Sequence, residues 1–238
     1  MYGWRLRIGL IVPSSNTTME PEFWKMAPKG VSIHTARMNL TDVTEEALIK
    51  MEAYAKDAAE RLADAGVDII MYGCTTGSLV KGKGYDRQIS QELEKHSGIR
   101  AVTTSTAVVE ALGEIGISKV AVAAPYIDEV NAKEKQFLED NGIEVIRIKG
   151  LGLVKNIEIG RQEPWAAYKL AKSVYTSNTD GIFISCTNFR SIEIIDILET
   201  DLGVPVITSN QASMWLTLKT LGIKEKYKEY GALMKEHL

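Results

Sequence analysis

The chain has 238 residues, 45% hydrophobic and 25% charged, with a formal net charge of −3. These values are ordinary for a folded globular protein, and without a basic field they set nucleic-acid binding aside. No apolar run approaches the roughly 20 residues of a membrane helix, and the opening Met1-Tyr2-Gly3-Trp4 has no signal-peptide cleavage region, so a cytoplasmic protein without membrane contact is expected.

Arg7 to Val12 is a short apolar run that stops at Pro13 and opens into Ser14-Ser15-Asn16. Such a run suits a parallel strand buried on both faces, and ligands bind at the carboxyl ends of open α/β sheets. Val31 to Thr35 predicts a second strand. From Asp42 the pattern turns helical, with Asp42 and Glu45 as a capping pair. Leu48, Met51, Ala55, Ala58, Leu62 and Ala65 follow at helical spacing, and Gly66 ends the helix. Val67 to Tyr72 is the strand that delivers Cys74. A helix over Ser78 to His96 follows, weakened at Gly82 and Gly84, which predicts a long, mobile loop after Cys74. Arg100 to Thr103 is a fourth strand, and Ser105 to Ile115 a helix closed by Gly116.

The second half repeats this order. Val120 to Ala124 is a strand ending in Pro125-Tyr126, Asp128 to Asn141 a helix closed by Gly142, and Ile143 to Ile148 a strand. A loop through Asn156 to Gly160 leads to a helix with Pro164 in its first turn. Strand Gly181–Ser185 then delivers Cys186, followed by helix Arg190–Leu202, strand Pro205–Thr208 and helix Gln211–Leu221. The charged tail Lys224–Leu238 predicts a surface helix.

Pro13 to Cys74 and Pro125 to Cys186 both span 61 positions. Asp68 matches Asp180, and Gly30 to Ile33 matches Gly142 to Val145, at an offset of 112; Gly98 to Thr104 matches Gly203 to Ser209 at 105. Several matches in one order indicate a duplication. The expected fold is α/β: two pseudo-symmetric doubly wound lobes, each a four-stranded parallel sheet flanked by helices, with the active site in the cleft between them. The lobes are expected at residues 1–115 and 116–238, with C-terminal helices that can pack back on the first lobe.

Cys74 and Cys186 are the only cysteines. A reducing compartment argues against a disulfide, and His34, His96 and His237 sit in no ligand-spaced pattern, so no metal site is expected. Two working thiols are the remaining chemical reading. A free thiol has a pKa of about 8.5, so a site that uses the thiolate must stabilise it, and a helix N-terminus does so. Both cysteines are expected at a strand-to-helix junction. One thiolate and one thiol facing each other would remove a proton from one side of a ligand and deliver it from the other. The alternative is a pair of structural cysteines, a common fate of buried thiols. Three features favour a working pair: both stand at strand ends, both precede Thr, and they occupy equivalent repeat positions.

Asn16, Tyr126 and Asn156 are the next candidates. Each has an ordinary reading, as a turn asparagine, a ring capping the core and a helix terminator. Together with backbone N–H groups at strand ends they can hold carboxylates without a cationic clamp. Arg190, Lys81 and Lys83 read as surface charge.

Gly9 to Asn16, Tyr72-Gly73-Cys74, Ala124-Pro125-Tyr126, Asn156 to Gly160 and Ile184-Ser185-Cys186 together resemble the aspartate/glutamate racemase superfamily. The branch is that of the maleate cis-trans isomerases and arylmalonate decarboxylases, and the likeness covers nearly the whole chain in order. It implies Cys74 and Cys186 as catalytic, with Asn16, Tyr126 and Asn156 at the substrate. Ser14, Ser15, Thr75, Thr76, Thr187 and Asn188 would complete the carboxylate site. The resemblance further implies a small dicarboxylate such as maleate, no cofactor, and a homo-oligomer, dimer or larger. Maleate isomerases add the first thiolate to the alkene while the second cysteine handles the proton; arylmalonate decarboxylases keep only the second-lobe cysteine. Where the isomerases are largely apolar after the first cysteine, this chain has Thr75-Thr76-Gly77-Ser78, and Thr187-Asn188 follows the second. That polar character also resembles the amino-acid racemases and an ectoine-utilisation branch, and it could bind an ammonium or an amide. Alternatives to maleate isomerisation are therefore a racemase of the aspartate/glutamate type, a cofactor-free decarboxylase, and a two-lobed binding protein whose thiols are passive.

Overall fold

The computed structural model describes residues 2–238. In its first half β1 (Leu6–Pro13) leads through α1 (Met19–Met26) to β2 (Val31–Met38). Next come α2 (Glu45–Met51), a 3₁₀ turn (Glu52–Tyr54) and α3 (Ala55–Asp64), then β3 (Ile69–Tyr72), α4 (Thr75–Leu79), α5 (Tyr85–Ser97), β4 (Ala101–Thr103) and α6 (Thr104–Ile115). The second half runs β5 (Lys119–Ala124), α7 (Asp128–Asp140), β6 (Glu144–Gly150), α8 (Asn156–Gly160), α9 (Pro164–Val174) and β7 (Gly181–Ile184). A 3₁₀ turn (Ile192–Ile194), α10 (Ile195–Leu202), β8 (Val206–Thr208), α11 (Ser209–Thr220) and α12 (Gly231–Glu236) complete it.

The strands form two four-stranded parallel sheets of the same order, β2-β1-β3-β4 and β6-β5-β7-β8. Helices cover both faces, so β3 and β7 are buried at every position, which is why they read as unbroken apolar runs. The duplication reaches single hydrogen bonds. Asp68 accepts from the Arg7 N–H at 2.7 Å and Asp180 from the Lys119 N–H at 2.9 Å. Glu94 accepts from the Ala101 N–H and Glu199 from the Val206 N–H, both at 3.0 Å. In each pair a carboxylate anchors the start of a strand.

Four local expectations are corrected. The helix after β2 is capped by Thr44, which accepts from the Ala47 N–H, while Asp42 pairs with Lys155 across the two halves. The helix predicted over Ser78–His96 is two helices, because Gly84 takes a left-handed conformation at the start of α5. No helix begins at Arg190: Cys186 has φ 98°, the chain turns, and α10 starts only at Ile195. The tail is helical only in α12, where Leu233 and Met234 are fully buried. Asp196 and Glu199 accept from the backbone N–H groups of Gly231 and Ala232, and this fastens α12 inward.

α11 packs on α6 and α1, elements that flank the other sheet, and the buried apolar side chains form one continuous cluster through both halves. A second junction joins the loops: the Val43 N–H donates to the Val154 carbonyl at 2.7 Å and the Asn156 N–H to the Thr41 carbonyl at 2.9 Å. These contacts draw the carboxyl ends of the two sheets together. Among the described residues no helix is long and apolar enough to cross a membrane.

Candidate active site

Cys74 follows β3 as the residue before α4, and Cys186 follows β7. Both are buried, each 5% exposed. Their flanks touch directly: the Thr187 hydroxyl donates to the Gly73 carbonyl at 3.2 Å. A second bridge runs through Ser209, whose Oγ accepts from the Thr75 hydroxyl at 2.9 Å and from the Cys186 N–H at 3.0 Å. The flanks of the two thiols therefore meet across the junction of the two sheets, and Cys74 lies within electrostatic reach of Cys186.

Burial dominates both thiols. It pushes Cys74 up to about 11, against the lowering pull of the Gly77 N–H and the Thr76 hydroxyl. It pushes Cys186 up to about 12; Tyr126 and the Asn188 N–H pull it down, while Cys74 and Glu134 push it further up. The expectation that helix N-termini hold the anion is corrected here. Only Cys74 precedes a helix, that helix has five residues, and desolvation outweighs it. Both thiols rest protonated at neutral pH.

The asparagines and hydroxyls expected at the ligand are largely engaged with one another. Asn16 accepts from the Thr18 and Met19 N–H groups at 3.0 and 2.9 Å and donates to the Thr187 hydroxyl at 3.0 Å. Asn188 accepts from the Thr17 N–H at 2.9 Å and donates to the Asn156 carbonyl at 2.7 Å. Asn156 donates to the Ser15 hydroxyl at 2.8 Å, and that hydroxyl donates to Leu40. These side chains tie four loops into one frame. Ser14 is exposed, its N–H is spent on the Met38 carbonyl, and its hydroxyl lies against Leu40, so its backbone donor is not free for a ligand.

Tyr126 is buried with its hydroxyl on Cys186. The N–H groups of Thr75 and Thr76 open α4 and have no partner within the helix. Arg37 binds the Asn16 carbonyl at 2.7 Å from behind the loop, and Arg190 pairs with Glu163 and Glu193 at the surface, so neither supplies a charge to the thiols. Among the described residues no three His, Cys, Asp or Glu side chains cluster as a metal site. A cavity of about 270 Å³ between α2, α4 and α7 is lined by Leu48, Leu79, Ile127 and Val130 and reaches Thr76, whose hydroxyl is 4.0 Å from the Cys74 sulfur.

Sequence reasoning missed four side chains. Ser209 matches Thr104 in the repeat, and that alignment could have found it. Glu22 accepts from the Ser191 N–H at 3.1 Å and from Asn210 at 2.6 Å, beneath the loop after Cys186. Glu134 accepts from the Ser185 hydroxyl, and its second oxygen is buried without a partner among the described residues. The Tyr72 hydroxyl is likewise buried and has no partner among the described residues. An acidic residue on an amphipathic helix and a tyrosine in a strand carry no sequence signal of such a place.

The chain matches the arylmalonate decarboxylase family over residues 8–234. It is 31% identical to a maleate isomerase of Geobacillus stearothermophilus, over 96% of each chain. A cysteine-to-alanine variant of the maleate isomerase from Pseudomonas putida S16, solved with maleate, superimposes with a TM-score of 0.92 at 28% identity, covering 96% of this chain and 97% of that one. A cysteine-to-serine variant of the Nocardia farcinica maleate cis-trans isomerase, solved with a covalently bound succinylcysteine intermediate, gives 0.92 at 25% identity, covering 97% and 98%.

Proposed function

This chain belongs to the family of the arylmalonate decarboxylases and maleate isomerases, and from that premise we propose that it is a cofactor-independent isomerase converting maleate to fumarate. The observation that carries the reading is the pair of buried thiols, one from each sheet, linked through Thr75, Ser209 and Thr187. A decarboxylase of this family keeps only the second-lobe cysteine, so the presence of Cys74 favours isomerisation.

Cys74 loses its proton to solvent and its sulfur adds to one alkene carbon. The π pair moves to the neighbouring carbon, which takes the proton of the Cys186 thiol. The former double bond is then single and turns. Cys186, now a thiolate, takes the proton back, the alkene re-forms in the trans geometry, and the sulfur leaves as thiolate. Two observations support this division of labour. The buried Glu134 carboxyl, held by Ser185 beside Cys186, raises that thiol further, which favours it as the proton carrier. The succinylcysteine held by the Nocardia farcinica relative supports covalent addition. The N–H groups of Thr75 and Thr76, with Tyr126, would hold the carboxylates and the charge that develops on them.

Proton NMR of the reduced protein in D₂O tests the reading. Maleate should give the fumarate signal, and Cys74→Ala should abolish it. Loss of the α-proton of aspartate or glutamate without fumarate would replace isomerisation by racemisation.

A further inference from the structure

Tyr72 ends β3 two residues before Cys74 and is fully buried. Its hydroxyl has no hydrogen-bond partner among the described residues, an arrangement that costs stability and that folded proteins rarely keep without use. Three groups surround it. Cys74 is the nearest in effect, and Tyr85 on α5 and Glu52 in the 3₁₀ turn act on it more weakly. The last two are satisfied elsewhere: the Tyr85 hydroxyl and the Lys81 ammonium each donate to Glu52 at 2.7 Å. The phenol oxygen and the Cys74 sulfur are left on either side of Gly77.

Gly77 keeps the space between them open. A Cβ at that position would lie 2.9 Å from the Cys74 sulfur, 3.1 Å from the Tyr72 hydroxyl oxygen and 2.6 Å from the Met51 methyl. A side chain there would wedge between phenol and sulfur. The sulfur itself has only the Thr76 hydroxyl at 4.0 Å and the Gly77 N–H. In the second lobe Tyr126 serves Cys186, yet by the repeat its counterpart is Ser14, which points to Leu40. Position 72 corresponds in turn to Ile184. The first lobe therefore lacks the loop tyrosine and has a strand tyrosine in its stead.

We propose that Tyr72 is the hydrogen-bond donor of the Cys74 thiolate, so that each thiol of the site has its own tyrosine. The phenol keeps its proton throughout, since burial holds it well above its ordinary range. It acts as a donor, not as a base. The inference rests on Cys74 being the nucleophile of the proposed reaction, but its test does not need the substrate.

With Cys186→Ser in the background Cys74 is the only thiol. Its alkylation by iodoacetamide is followed by intact mass from neutral to strongly alkaline pH, with and without Tyr72→Phe. The expected result is a rate about tenfold lower at neutral pH and a midpoint about one unit higher in the phenylalanine variant. Its melting temperature should be equal or higher, because an unpartnered hydroxyl has been removed. A phenol that only fills the core would raise the melting temperature and leave both rate and midpoint unchanged, which overturns the proposal. Faster alkylation, the sign of loosened packing, overturns it as well. If maleate proves not to be the substrate, the alkylation result stands on its own.

Discussion

Cys74 has an extended backbone, φ −147°, and precedes α4, whereas Cys186, at the same point of the other half, has φ 98° and opens a turn. The surroundings differ in the same sense. Around Cys74 are the Gly77 N–H, a phenol without a partner, and Thr76 at the edge of a cavity. Cys186 is held by Ser209, Asn188 and Tyr126, with Glu134 and Glu22 beneath its loop. Duplication supplied two equivalent strand ends. The side chains added to each left Cys74 behind Thr76 at the edge of a cavity and tied Cys186 into a network of hydrogen bonds. The proposed addition–elimination would use such an asymmetry, with the nucleophile reaching carbon while the proton carrier stays in place.

The largest effects should come from removing each sulfur in turn. Cys74→Ala should lower turnover of maleate by about 10⁴-fold or more, the loss typical of a missing nucleophile. Cys186→Ala should cost about 10²- to 10⁴-fold, as for a missing acid–base group. Cys186→Ser with maleate should accumulate an adduct on Cys74 that intact mass detects. Equal losses without any adduct would make the two thiols symmetric bases and break the comparison.

Stability against pH should report the two carboxyls that lie only on the Cys186 side. Burial raises Glu22 and Glu134 from 4.5 to about 7 in the folded protein. Between those values the folded state holds protons that the unfolded chain has released. Each contributes stability that is complete below about pH 4.5 and is lost as pH rises towards 7, about 3 kcal/mol per group. Asp196, lowered overall by Lys235 and backbone N–H groups although burial opposes them, works in the opposite sense at more acid pH. Urea unfolding should therefore weaken from pH 5 to pH 7.5 in the native chain. The slope should flatten in a Glu22→Gln, Glu134→Gln double variant; a slope that survives both changes would assign it to other groups.

The order of strands and helices was legible because parallel strands buried on both faces leave unbroken apolar runs, and because the order occurs twice. The cysteines were legible for the same reason, as residues at matching strand ends. The segments just beyond the cysteines were not. Thr75 and Thr187 look alike in sequence, yet one enters a helix and the other a turn, since the turn at Cys186 is held from other segments, by Ser209 on the Cys186 N–H and by Gly73 on the Thr187 hydroxyl. Asn16, Asn156 and Asn188 read as ligand donors, and a sequence does not show that their amides also hold the frame together. Tyr72 was hidden as an ordinary strand aromatic, and the sign that it differs is the glycine five residues on, whose meaning needs three dimensions.

The smallest effect tests the backbone difference alone. A non-glycine residue at positive φ carries strain of about 1 kcal/mol or more, and glycine relieves it. Cys186→Gly should accordingly be more stable than Cys186→Ala, by about 1 kcal/mol. At Cys74 the order should reverse, because an extended residue gains nothing from glycine, which loses more freedom on folding, about 0.5–1 kcal/mol. All four proteins lack one sulfur, so the loss of the thiol cancels within each pair. Opposite signs in urea unfolding would locate the asymmetry in the main chain as well as in the neighbouring side chains. Alanine more stable than glycine at both positions would mean that Cys186 is not strained and that its turn is held by hydrogen bonds alone.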